Sequence, residues 1–166
     1  MREPVGRTLV IGLGNPLLSD DGVGWHVVRR LRTRGAAPAG VETCFSSRGG
    51  LALMERMVGY DQAVVVDATR CGVAPGTVRW FDPEMTGPRN ASSSHDATLA
   101  AALELGRRTG AALPPPGRVR VLGIEVIDTV TIGEELSGPV RAAVDVAVRE
   151  LEAALAGTEG ESGRCR

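Results

Sequence analysis

The sequence predicts an α/β protein: a sandwich with a mainly parallel sheet of about five strands. Three observations carry this. Short, almost uninterrupted apolar runs, "TLVIGLG" and "AVVVDA", have the composition of strands buried on both faces. Stretches with helical spacing of apolar residues alternate with those runs. Between the strand at Thr8 and the one at Ala63 lie one further strand and two helices, the spacing of successive βαβ units.

Taken in order, Thr8 to Gly14 is the first strand. "DDGVGWHVVRRLRTRG" follows as a helix, with Val23, His26 or Val27, and Leu31 on one face and Gly35 at its end. Val41 to Phe45 is a short second strand, and Leu51 to Gly59 a second helix. Ala63 to Ala68 is the third and most apolar strand. A turn at "APG" leads to an edge strand, Thr77 to Phe81. "SSSHDATLAAALELGRRTG" reads as a serine-capped helix closed by Gly110, and "RVRVLGIEV" as the last strand. The final helix is "SGPVRAAVDVAVRELEAALAG", with Ser137 as its cap.

At 166 residues the chain is long enough for one full core, and residues 1–156 are expected to form one domain. The Gly-rich polar tail, 157–166, is expected to be disordered. Nineteen basic against twenty acidic residues give a net charge of -1, which argues against a basic nucleic-acid surface. Aromatics at 3% argue against base stacking. Cys44, Cys71 and Cys165 form no CxxC pair and read as reduced thiols, so a cytoplasmic protein is expected. The N-terminus does not read as a signal peptide, and no apolar run reaches the ~20 residues that span a bilayer. No membrane and no nucleic-acid partner is expected.

The chemistry gathers where the strands end. In an open parallel sheet, sites lie beyond the carboxyl ends of the strands. Asn15, Asp20 and Asp21 follow the first strand, and Asp67 ends the third. His95 stands at the start of a helix that could fold over the same edge. Each has an ordinary alternative. Asp20 and Asp21 could complement a helix dipole behind a Ser19 cap, Asp67 could cap a turn, and His95 could lie on the surface. His26 is given no role. Convergence of Asp21, Asp67 and His95 would instead make an oxygen/nitrogen ligand set suited to zinc or nickel. No HExxH is present.

"GLGNPL" begins like a dinucleotide-binding GxGxxG. It lacks the third glycine, and the two aspartates would repel a pyrophosphate. GxxxxGK[ST] and GxSxG are absent. A nucleophilic Cys44 or Cys71 paired with His95 is the weakest option, since nothing brings either thiol to a base.

Four segments in order resemble a known family. "LVIGLGNPLLSDDGVG", "VVVDA", "SSSHDATLAAAL" and "VLGIEV...IGEELSGPV" are similar to the motifs of the hydrogenase maturation endopeptidases, from about Thr8 to Leu155. The resemblance implies a three-layer α/β/α sandwich and a cytosolic endopeptidase. That enzyme would remove a C-terminal extension from the nickel-loaded precursor of a nickel-iron hydrogenase large subunit. It implies metal contact and catalysis by Asp21, Asp67 and His95, the nickel being carried by the precursor. Asp20 is the weaker candidate in the same motif. The turn "FSSRGG" and Val126 depart from the family pattern, and Arg48 adds positive charge beside the cleft. Two rivals remain at this point. "LVIGLGNP" also resembles the start of the bacterial peptidyl-tRNA hydrolases, and a non-catalytic nickel- or precursor-binding chaperone would share the fold.

Overall fold

Five strands form one sheet in the order β2-β1-β3-β5-β4. They are β1 (Thr8–Leu13), β2 (Val41–Ser46), β3 (Gln62–Thr69), β4 (Val78–Phe81) and β5 (Val119–Glu125). The helices are α1 (Val23–Arg34), α2 (Gly50–Arg56), α3 (Leu99–Arg108) and α4 (Gly138–Gly157). The structure is a computed structural model and describes residues 6–35, 37–83 and 98–157. The tail expected to be disordered lies outside them from residue 158. The first four strands in the order above run parallel, and β4 joins β5 antiparallel at the edge.

The continuous apolar runs are explained by helices on both faces. Val10, Val64, Val66, Leu122 and Ile124 point to the side of α1 and α4, where they meet Val27, Leu31, Val140 and Leu151. Leu9, Ile11, Val65 and Val121 point the other way, onto Leu53, Met57 and Leu103 of the α2–α3 side. Successive strand residues alternate between faces, so a strand covered on both sides has no polar face to show. This is the three-layer arrangement.

The element boundaries differ from expectation in three places. Asp20 and Asp21 do not open α1. They lie in a 3-10 turn, Ser19–Gly22, and α1 begins at Val23. The physical reason is the pull on Asp20, whose carboxylate turns inward to bind a distant loop. Ser19 is not a cap either: it takes φ 49°, donates its hydroxyl to the Glu135 carbonyl at 2.9 Å and its N–H to the Gly133 carbonyl at 2.7 Å. A left-handed non-glycine residue costs ~1 kcal/mol or more, and these two bonds hold it there. Finally, α3 starts at Leu99 and is capped by Thr98, whose Oγ1 accepts from Ala101 N at 3.2 Å. The serine run expected to cap it lies outside the described residues.

Candidate active site

The first motif folds as a strand end tied back on itself. β1 stops at Leu13, and Gly14 takes φ 128°. A side chain on Gly14 would stand 1.9 Å from the Asp21 carbonyl oxygen, so only glycine fits. Asn15 Oδ1 accepts from Leu17 N at 3.0 Å, which turns the chain. Asn15 N then donates to Asp21 Oδ2 at 2.7 Å. That bond fixes the Asp21 carboxylate over the end of β1, and Oδ1 accepts nothing from the described residues.

Asp67 reaches the same edge from the next strand. β1 and β3 are hydrogen-bonded neighbours with Gly12 opposite Val66, so Leu13 falls beside Asp67 one step on. On its other side Asp67 faces Gly123 of β5. The 3-10 turn carrying Asp21 packs against β3. By alternation from Val65, Asp67 is directed to the α2–α3 side of the sheet. Both acids are half-buried. Asp67 and the turn that carries Asp21, 46 positions apart in sequence, therefore lie on the same edge of the sheet.

His95 lies outside the described residues. The helix beyond it lies within them. Ala112, past the end of α3, accepts from Gly59 N just ahead of β3. The C-terminal end of α3 therefore sits at the amino edge of the sheet, and Thr98 starts the helix from the carboxyl side. Among the described residues, no group of three His, Cys, Asp or Glu side chains could hold a metal ion.

Asp20 has a different fate from its neighbour. It is fully buried. Its Oδ1 accepts from Ser137 N at 2.7 Å, and its Oδ2 from Ser137 Oγ at 2.8 Å and from Ile127 N and Asp128 N at 3.1 Å each. Four donors fill the carboxylate's capacity. Asp20, the weaker metal candidate in the motif, is thus buried and committed to four donors rather than turned to the cleft. A second buried acid, Glu125, also lies at this edge. It accepts from Cys71 N at 2.9 Å, Gly72 N at 2.8 Å and Thr69 Oγ1 at 3.2 Å. The signal was available, since a glutamate ending the apolar run "VLGIEV" has to find donors inside the protein.

Burial pushes the Cys44 thiol up from its ordinary value, away from the reactive thiolate. The Cys71 backbone N–H is engaged by Glu125. His26, half-buried on α1, is held below the usual histidine range, first by burial and then by Arg29. Arg48 is exposed in the turn after β2, where the Ser46 hydroxyl donates to the Arg48 carbonyl at 2.9 Å. None of the described helices is long and apolar enough to cross a membrane.

Comparison with known proteins converges on one group. The family model for hydrogenase maturation protease matches residues 25–154. The Escherichia coli hydrogenase 2 maturation protease is 30% identical over 152 residues, covering 90% of each chain. The hydrogenase expression/formation protein HupD of Rhizobium leguminosarum is 30% identical over 159 residues, covering 89% of this chain and 75% of that one. Among solved structures, the hydrogenase maturating endopeptidase HybD of Escherichia coli superposes with a TM-score of 0.70 at 25% identity, covering 95% of this chain and 94% of that one. The maturation protease HybD of Thermococcus kodakarensis superposes at 0.60 with 26% identity, covering 90% and 99%.

Proposed function

Because the chain belongs to the hydrogenase maturation protease family, a family of peptide-bond hydrolases, we propose that it removes a C-terminal extension from the nickel-loaded precursor of a nickel-iron hydrogenase large subunit. What supports the site is that Asp67, near the carboxyl end of β3, and the 3-10 turn carrying Asp21, packed against β3, share one edge of the sheet. His95 completes the set in this reading, three positions ahead of Thr98, which starts α3 at the carboxyl side of the sheet. In this reading the reaction takes place in the cytoplasm, where unpaired cysteines such as Cys44 and Cys71 are ordinary.

Nickel here is part of the substrate. The donor set suits it as an outer partner: two carboxylates and one imidazole are acceptable to a borderline divalent ion, but too few to enclose it. When docked, the precursor's nickel supplies Lewis-acid polarisation near the scissile carbonyl. The chain's own residues do the rest. Asp21 keeps Oδ2 on the Asn15 N–H, which restrains its rotamer and leaves Oδ1 for the substrate in this reading. Asp67 is held by its place in the β1–β3–β5 ladder. One of the two carboxylates takes the proton of the attacking water and returns it to the leaving amine. In that sense the chemistry is of the aspartic type.

Positioning of the bond can account for ~7–11 kcal/mol of barrier, so metal-dependent docking would make recognition depend on loading. The test is incubation of the pure protein with apo precursor, nickel-loaded precursor and casein. Only the nickel-loaded precursor should be shortened. Chelator-sensitive cutting of casein would show a self-contained metalloprotease, and binding of the loaded precursor without cleavage would show a chaperone.

A further inference from the structure

Among the described residues, two acids are buried: Asp20 at 0% and Glu125 at 4% exposure. Both lie at the carboxyl edge of the sheet. Neither has an arginine partner among the described ion pairs, and both are satisfied by N–H and O–H donors alone. A buried carboxylate without a cation is costly unless its donors are numerous and well placed. Here the donors have a pattern. Those of Glu125 come from Thr69, Cys71 and Gly72, the residues that leave β3 directly after Asp67. Asp20 adjoins Asp21, and its donors come from the loop between β5 and α4.

That loop is stitched to the Asp21 turn at further points. Asp20 N donates to the Asp128 carbonyl at 2.9 Å, and Gly133 N donates to the Leu17 carbonyl at 2.9 Å. The turn bearing Asp21 is thus held on both sides, by Asn15 from β1 and through Asp20 from the loop. Each half-buried acid of the proposed site thus adjoins backbone gripped by one fully buried acid.

The geometry points to Asp20 and Glu125 as positioning residues for proteolysis, Asp20 acting through Asp21 and Glu125 through Asp67. This rests on the reading that Asp21 and Asp67 meet the substrate. The chemistry explains why an acid is used: a carboxylate accepts four hydrogen bonds on two oxygens, whereas an amide of the same shape accepts on one and presents two donors on the other. At position 20 an amide nitrogen would face either Ser137 N or the Ile127 and Asp128 amides, donor against donor.

The test uses Asp20→Asn and Glu125→Gln in the full chain, well below their melting temperatures. Processing of nickel-loaded precursor should lose about tenfold or more in kcat with KM within about twofold, the mark of a misplaced reacting group. Side-chain carboxyl ¹³C signals, read at one fixed pH, give a view independent of activity. Asp20→Asn should move the Asp21 signal and leave that of Asp67, and Glu125→Gln should do the reverse. Lowered melting temperature with unchanged kcat and unmoved signals would reduce both residues to structural props and overturn the inference. If either variant fails to fold, Ser137→Ala and Thr69→Val each remove one hydroxyl donor and should show the same pairing in weaker form; no effect from either would be equally fatal. Failure of the wild type to cut the precursor would instead sink the functional reading, while the signals would still decide the positioning.

Discussion

Asp20 and Asp21 are adjacent in the chain, yet one is fully buried and the other half-buried, and the difference lies in their partners. Asp21 spends one oxygen on a neighbour six residues away, while Asp20 spends both on donors 107 to 117 residues away. The sequence could therefore nominate Asp21 and Asp67, since each follows an apolar run that has to be a strand. It could rank Asp20 below Asp21 but not say what Asp20 does instead, because Asp20's donors are supplied by a loop far along the chain. A clear result is expected from Asp21→Asn. The new amide oxygen can still accept from Asn15 N, so the turn survives, but the charge is gone. Asp67→Asn makes the same exchange at the end of β3, and His95→Ala removes the imidazole. General acid–base groups contribute about 10²–10⁴-fold, so processing of loaded precursor should fall by roughly that factor for each. Thermal unfolding should change little, by about 1 kcal/mol or less, as for substitutions outside the core. A variant that cuts at the normal rate would remove its residue from the site.

At the level of elements, the first motif is glycine-rich for a reason unconnected with phosphate. α1 rests directly on the sheet. A Cβ on Gly24 would lie 2.3 Å from the Val66 carbonyl oxygen and 2.5 Å from that of Leu13, and one on Gly12 would lie 2.6 Å from the Gly24 oxygen. All of these are backbone atoms, which cannot swing aside. The "GLGN...DDGVG" pattern is thus a strand and a helix in backbone contact, which brings the Asp21 turn down onto the strand ends. Gly24→Ala should cost about 2–3 kcal/mol by overpacking, or roughly 5–10 °C in melting temperature for a chain of this length. Gly138→Ala is the control. It opens α4, is exposed, and has nothing within 4 Å of its would-be Cβ. Alanine there should stabilise by about 0.4–1 kcal/mol through reduced freedom of the unfolded chain. Equal melting temperatures for the two variants would show that α1 can lift from the sheet. Helical periodicity gave the existence of α1 but placed its start at the aspartates, because no local signal shows that a side chain will be drawn away into another loop.

Across the whole molecule, the alternation of apolar runs and amphipathic stretches was enough to read the layers and the edge position of β4. The strand order was less accessible. That β5 lies between β3 and β4 depends on the long connection through β4 and α3, and its local pattern is the same as that of any buried strand. The packing of α1, the β5–α4 loop and α4 also creates a dependence on pH. His26 on α1 is half-buried, with Arg29 on its own helix, Glu134 in the loop and Arg141 on α4 as its charged surroundings. Burial, then Arg29, lowers its pKa; Arg141 adds to that, and Glu134 only partly opposes it. The folded protein therefore holds His26 neutral at a pH where the unfolded chain, with an ordinary value near 6.5, already binds a proton. Between the lowered folded pKa and about 6.5 the unfolded state carries more protons, so stability rises with pH across that window and falls on acidification. Glu42 and Asp128, whose pKa values are lowered by hydrogen bonds, lose their contributions only in the more acidic carboxylate range. The chain has two histidines, which makes the source of the slope separable. Melting temperature should rise from about pH 5 to about pH 7 in the wild type. The His26→Gln variant should flatten that rise, and His95→Gln should retain it. A slope carried unchanged through His26→Gln would show that protonating α1 at this position does not disturb its contact with the loop that holds Asp20.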